Sequence, residues 1–179
     1  MSERVKQIRS TVNTVVQLEH EWVRKDIGHG DAKCTPWIPF PWYDFTALVA
    51  EAVTEVDGDR FLEIGAGVGT KMMLARDIFG FEVRGIECVP EYAARAREAG
   101  LDVVTADALH WDGYAGYDLV WFNRPYADAD MQAKLEAKIW HDVSPGTVVI
   151  AANLEAPPPP HFYPVLDDGE VRRWIVQKM

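Results

Sequence analysis

The sequence predicts an α/β fold: a mostly parallel, seven-stranded sheet with helices on both faces, an antiparallel C-terminal hairpin and an N-terminal helical extension. Three observations predict it. From residue 60 onward, short apolar runs alternate with helical stretches of roughly 10–15 residues, the pattern of right-handed crossovers between parallel strands. The last two runs, "HFYPVL" and "EVRRWIVQKM", are joined by the turn "DDG", which makes them a hairpin. The first 26 residues carry Val5, Ile8, Val12, Val15, Val16, Leu18 and Trp22 at helical spacings, as an amphipathic helix requires.

Each element follows from its own residues. After the first helix, "IGHGDAKCTPWIPFPW" breaks the pattern with two glycines and three prolines, giving a stiff aromatic loop. A second helix covers about Tyr43 to Val56 and ends at "DGD". "RFLEI" is then a strand and "TKMMLARDIFG" a helix; "EVRGIE" is a strand and "PEYAARAREAG" a helix. "LDVVTA" and "YDLVWF" are strands, "DADMQAKLEAKIWHDV" a helix and "GTVVIAA" a strand. Five parallel strands closed by a hairpin make a Rossmann-like sheet with an unusual edge. "PPPP", Pro157 to Pro160, is most simply a stiff spacer. The reading is one domain, with residues 1–56 as a helical cap and aromatic loop and residues 60–179 as the core.

Composition narrows the function. At 179 residues the chain can bury one sizeable core, and 48% apolar with 26% charged residues is ordinary for a globular domain. The formal charge of −10 repels a phosphate backbone and disfavours nucleic acid as a substrate. The N-terminus is charged and no apolar run of about 18 residues follows, so no membrane span is expected. Only two cysteines occur, Cys34 and Cys88, in no paired spacing, which argues against a disulfide framework. A cytoplasmic location follows.

The chemistry centres on "FLEIGAGVGT", a strand that stops on Gly65, Gly67 and Gly69 and re-enters a helix. A tight turn without a ligand is the plainest reading. A phosphate-binding loop fails because Lys71 follows Thr70 and is itself followed by Met72. A dinucleotide fingerprint fails at its sixth position, which is Thr70, and this weakens an NAD(P)-dependent oxidoreductase. Glu63 discriminates further. A carboxylate beside the turn repels a pyrophosphate but suits an ammonium or a sulfonium. Glu87 ends the second strand, where an acid accepts ribose hydroxyls, and Asp107 ends the third, where it can meet an adenine amino group. Three acids at adjacent strand ends describe a nucleoside with a cationic tail: S-adenosylmethionine (SAM).

In "FLEIGAGVGT", "GIE", "ADAL" and "FNRPY", taken in order, the chain resembles the class I, seven-strand Rossmann-like methyltransferases over its last two-thirds. The resemblance implies SAM as cofactor and a methyltransferase activity. It implies Glu63 and Gly65 near the amino-acid end of the cofactor, Gly67 under its backbone path, Glu87 on the ribose, and Asp107 with Ala108 at adenine. Ala66, Gly69, Cys88 and Asn123 complete the residues it implies at the cofactor.

"FNRPY" also looks like the Asn/Asp-Pro-Pro-Tyr signature of amino-group methyltransferases. That likeness implies Asn123, Pro125 and Tyr126 as the residues that align a nitrogen nucleophile, with catalysis largely by orientation and desolvation. Arg124 replaces the first proline and either holds a substrate carboxylate or phosphate, or points to solvent. The expected substrate is a small molecule or a protein side chain. A non-catalytic cofactor-binding module of the same fold is the main alternative.

The remaining candidates are weaker. Trp37, Phe40, Trp42 and Tyr43 form a lid or simply pack the N-terminal helix, and packing is the default. Asp44 reaches the cofactor's amino group if that loop folds over it. His29, Asp31 and Cys34 match no metal spacing, so no metal is expected. His110, His141 and His161 are isolated, and the charges of "DADMQAKLEAKIW" form a solvated helix face.

Overall fold

The structure, a computed structural model, describes residues 2–22, 40–166 and 173–179. The sheet has seven strands in the order β3-β2-β1-β4-β5-β7-β6. They are β1 (Arg60–Ile64), β2 (Glu82–Glu87), β3 (Asp102–Thr105), β4 (Leu119–Asn123), β5 (Val148–Ala152), β6 (Phe162–Leu166) and β7 (Arg173–Lys178). The first five run parallel; β7 is antiparallel to both β5 and β6. The hairpin thus inserts its second strand next to β5 and leaves β6 at the edge. The turn "DDG" lies outside the described residues.

Alternation along each strand divides the core into two layers. On β4, Leu119 and Trp121 face one side, with α1 (Glu3–Trp22), α2 (Trp42–Ala52) and α3 (Thr70–Leu74). Val120 and Phe122 face the other, with α5 (Ala129–Asp142), where Leu135, Ile139 and Trp140 are buried. Trp121 is anchored by edge-on contacts with Phe45 at 5.2 Å and Phe40 at 5.0 Å. Rings so arranged gain about 0.5–1.5 kcal/mol beyond their buried area.

Some boundaries differ from the sequence reading. The second helix stops at Ala52, short of Val56. Val53, Thr54 and Val56 are β-branched and stiff in a helix, and the Thr54 hydroxyl donates to the Glu51 carbonyl instead. The helix after β1 is five residues of α-helix followed by a π-turn at Ala75–Phe79. The first helix is described to Trp22; the rest of the expected helix, and Trp37 of the aromatic loop, lie outside the described residues.

α1 covers α3 and the π-turn by three polar ties as well as by Val15 and Leu18. Arg4 donates to the Ile78 carbonyl at 2.8 Å, the Thr11 hydroxyl donates to Asp77 at 2.6 Å, and Lys71 pairs with Glu19 at 2.5 Å. Val5 and Val16 remain about half exposed, at 48% and 47%, so the apolar stripe is narrower than its spacing suggests.

Cys88 corrects another expectation. It is disulfide-bonded, against the expectation drawn from the spacing of the two cysteines. Sequence spacing carries no information on pairing across a fold. The other cysteine, Cys34, lies outside the described residues. Among the described residues no helix is long and apolar enough to cross a membrane.

Candidate active site

Strand order reverses between β1 and β4, which opens a crevice at the carboxyl ends of the strands, the standard ligand position of such sheets. A cavity open to solvent occupies it. Its walls come from five strand ends: Glu63 and Gly65 at β1, Glu87 and Cys88 at β2, Ala106 and Ala108 at β3, Asn123 to Tyr126 at β4, and Asn153 at β5.

The glycine turn forms for conformational reasons. Gly65, Gly67 and Gly69 have φ of 77°, 53° and 81°, left-handed values that cost other residues about 1–2 kcal/mol each. At Gly69 a Cβ would also come within 2.2 Å of Leu101 Cδ1. The end of β2 holds the turn in place. The amides of Gly65 and Ala66 both donate to the Ile86 carbonyl, at 2.9 and 3.0 Å, and that of Gly67 donates to Glu87 Oε2 at 2.7 Å.

Glu87 is therefore a scaffold as well as a wall. Its second oxygen accepts from the Val89 amide at 2.8 Å. Burial pushes its pKa up, against the opposing pull of these backbone N–H groups. Backbone N–H groups of Gly67, Val89 and Cys88 engage three of about four acceptor positions on the carboxylate, which leaves room for a hydroxyl donor.

Glu63 is 95% buried by the measure of its 5% exposure, and its Oε2 has no hydrogen-bond partner. Burial raises its pKa to about 8, with Lys71 pulling it down and Glu87 pushing it up. Lys71 is also buried and lines the same cavity, its ammonium bonded to Glu19 and, at 3.3 Å, to the Thr70 hydroxyl.

The β4 end departs from what the signature implied. Arg124 has φ of 43°, a value the proline ring forbids, so the loop does not follow a Pro-Pro path. Its guanidinium pairs with Glu155, beyond β5. Asn123 Oδ1 accepts from Asn153 Nδ2 at 2.7 Å, and Asn153 is itself left-handed at φ 59°. Behind them, Gln132 of α5 accepts from the Tyr126 amide and donates to Glu136, which accepts from the Glu155 amide. Two strained strand-end loops are thus latched to each other and to α5. Non-glycine residues in this region cost of order 1–3 kcal/mol and cluster at functional sites.

Tyr126 is buried, with 3% exposure, and its hydroxyl donates to Asp107. Asp107 caps the turn at Ala108–His110 through the Leu109 amide and also meets His110. Burial works to raise its pKa, but the hydrogen bonds from Tyr126, Leu109 and His110 outweigh it and hold the carboxyl below its usual range.

Of the residues expected at the cofactor, Glu63, Gly65, Glu87, Cys88, Ala108 and Asn123 line the cavity. Ala66, Gly67, Gly69 and Asp107 stand outside its lining. All three residues expected to act on the substrate, Asn123, Pro125 and Tyr126, line it. Phe40 lines it too, so part of the aromatic segment both packs on Trp121 and walls the site. Asp44 does not line it, and Tyr43 is 58% exposed. His29, Asp31 and Cys34 lie outside the described residues.

Sequence reasoning missed Lys71, Tyr92, Trp121 and Asn153. Lys71 was signalled by a charge inside the otherwise apolar "TKMML", and Asn153 by its place at the end of the fifth strand.

No family model matches the sequence, and no curated protein is significantly similar to it. Solved structures are similar in fold. An RNA methyltransferase from Salinibacter ruber, in complex with S-adenosyl-L-homocysteine, superposes with a TM-score of 0.59 at 20% identity, over 79% of this chain and 92% of that one. A mutant of MtNAS in complex with S-adenosylmethionine gives 0.58 at 21% identity, over 98% of this chain and 77% of that one. The CcbJ methyltransferase from Streptomyces caelestis gives 0.52 at 22% identity, over 66% and 57%. With its strand order, its reversed final hairpin and its glycine turn below the crevice, this chain has the fold of the class I S-adenosylmethionine-dependent methyltransferases.

Proposed function

We propose that the protein binds SAM in this cavity and transfers its methyl group to a small molecule or a protein side chain, with nitrogen as the atom methylated. One observation carries the reading. A buried carboxylate oxygen without a partner, on Glu63, shares a cavity with a second buried carboxylate, Glu87, at the neighbouring strand end. A ligand with a cationic amino-acid arm and a ribose satisfies both. When bound, SAM supplies an electrophilic methyl on a sulfonium.

The chain's own groups then bind and orient. Glu63 faces the ammonium, and the remaining acceptor capacity of Glu87 receives the ribose. Asn123 Oδ1 gives one lone pair to Asn153 and keeps the other for an N–H of the acceptor, which turns the nitrogen toward the methyl. The latch through Arg124, Glu155 and Glu136 fixes Asn123, and alignment of this kind supplies much of a methyl-transfer rate. Asn123→Ala is expected to leave SAM affinity nearly unchanged and cut transfer by roughly 10²-fold, measured as S-adenosylhomocysteine formed with the identified acceptor. Normal turnover in that variant would remove "FNRPY" from the mechanism.

A small molecule or a protein side chain fits better as acceptor than a nucleic acid. The Salinibacter neighbour is named for RNA, but a formal charge of −10 here disfavours a phosphate backbone.

A second reading keeps the cofactor and changes the group transferred. MtNAS, which aligns over 98% of this chain, was also solved in complex with MTA and tNA. MTA, methylthioadenosine, is what remains of SAM when the aminocarboxypropyl arm leaves. One experiment separates the readings. Thermal shift is expected to show stabilisation by SAM and S-adenosylhomocysteine and none by NAD; at 100 times the dissociation constant the gain is about 2.7 kcal/mol. Incubation with SAM and a panel of amines and peptides, followed by chromatography, is expected to release S-adenosylhomocysteine. Release of MTA would favour the second reading. Binding with neither product would favour a non-catalytic module, and stabilisation by NAD alone would overturn the methyltransferase assignment.

A further inference from the structure

Lys71 has no place in the glycine motif, yet it is the cation that this part of the cavity presents. It sits one residue past the turn, between Thr70 and Met72, where the following residues Met72, Met73 and Leu74 are all buried apolar side chains. An apolar residue would fill the same position without cost. A buried ammonium carries a desolvation penalty that one ion pair seldom repays. Lys71 is 3% exposed and still lines the cavity.

Its donors can be counted. An ammonium has three N–H groups. One goes to Glu19 Oε1 at 2.5 Å, from α1, and one to Thr70 Oγ1 at 3.3 Å. One remains. In the same cavity, and close enough for Lys71 to act on its charge, Glu63 Oε2 is buried and without a partner. The cavity therefore holds, near the glycine turn, one acceptor awaiting a cation and one cation with a spare donor. A ligand carrying an ammonium and a carboxylate on one carbon answers both.

We propose that Lys71 is the carboxylate-recognising residue of this cavity, and that the α-carboxylate of an amino-acid ligand competes with Glu19 of α1 for it. The inference rests on the SAM reading and extends it, because it makes the amino-acid arm, beyond the nucleoside, a condition of tight binding. It also gives α1 a role. Glu19 neutralises Lys71 in the free protein, so the first helix stabilises the empty site and is partly displaced from it by the ligand.

The test compares two nucleosides that differ in the arm. S-adenosylhomocysteine carries it; methylthioadenosine has the same adenosine and thioether without it. Calorimetry on the full chain is expected to show tighter binding of S-adenosylhomocysteine. Lys71→Met should weaken that ligand by at least about tenfold, the scale of one charge-assisted hydrogen bond, and leave methylthioadenosine unchanged. Glu19→Gln should strengthen S-adenosylhomocysteine binding and leave methylthioadenosine unchanged. Because Lys71→Met strands Glu19, the double variant Lys71→Met/Glu19→Gln removes both charges together and should show the same selective loss. Equal loss of both ligands, or no loss of either, would overturn the proposal while leaving the SAM reading standing. If the wild-type protein binds neither nucleoside, both the proposal and the SAM reading fall.

Discussion

Glu87→Ala is expected to weaken SAM binding by about 10²-fold or more and to lower the stability of the free protein at the same time. The two effects share one cause. In the free protein the carboxylate accepts from the Gly67 amide at 2.7 Å and from the Val89 amide at 2.8 Å. Truncation strands both N–H groups in a buried place, at roughly 1–3 kcal/mol each. A domain of this size loses about 2–4 °C of melting temperature per kcal/mol, so a drop of roughly 5–15 °C is expected in a thermal scan. On the SAM binding proposed above, the ribose hydroxyls also lose charge-assisted bonds of about 1.5–3 kcal/mol apiece, which sets the expected loss of affinity.

Glu87→Gln separates the two roles. The amide retains one oxygen to accept a backbone N–H, and turns a donor toward the other. It should recover part of the stability and little of the affinity. SAM affinity equal to wild type in a folded Glu87→Gln protein would place the ribose elsewhere.

That coupling of scaffold and ligand wall was only half visible in the sequence. The glycine turn and the acids at the ends of β1 and β2 were legible because they are local: a strand ending on glycines forces the backbone where it goes, and both acids sit where that backbone meets the crevice. The succession of parallel strands was legible for the same reason, through the crossovers. What the acids bond to was not. Glu87 reaches Gly67 twenty residues away, and nothing in "GIE" announces it.

Asp107 shows the limit from the other side. Its position at the end of β3 was read correctly, but its carboxylate is engaged by Leu109, Tyr126 and His110 and does not line the cavity. A strand end locates the Cα; hydrogen bonding decides where the side chain faces. Arg124 was expected either to hold a substrate acid or to point to solvent; its guanidinium pairs with Glu155, a partner thirty-one residues on, and a φ of 43° takes the loop off a Pro-Pro path. Asn153 lies thirty residues from the residue it holds, so only the folded sheet brings the pair together. The disulfide at Cys88 belongs to the same class of non-local facts.

Glu63 gives the last prediction, a pH dependence of cofactor binding. In the free protein, burial raises its pKa from 4.5 to about 8, with Lys71 opposing and Glu87 reinforcing. The group is thus mostly neutral at pH 7. A cationic ligand selects the carboxylate, so binding expels a proton. The expected signature is an affinity for SAM that rises with pH and levels off above about 8. Between pH 6 and pH 8 the ionised fraction grows by about fiftyfold, and the affinity should grow in proportion. Calorimetry at pH 7 in buffers of different ionisation enthalpy should register close to one proton released per SAM bound. Stability of the free protein moves the other way. The folded state holds a proton that the unfolded state gives up above pH 4.5, so this group's contribution is fully present below 4.5 and is lost as the pH rises through about 8. Glu63→Gln cannot ionise; it should bind SAM more weakly at pH 8 and flatten both curves. If wild-type affinity is flat from pH 6 to 8 and no proton is released, Glu63 does not meet the cationic arm, and the carboxylate that singles out this glycine turn serves the fold alone.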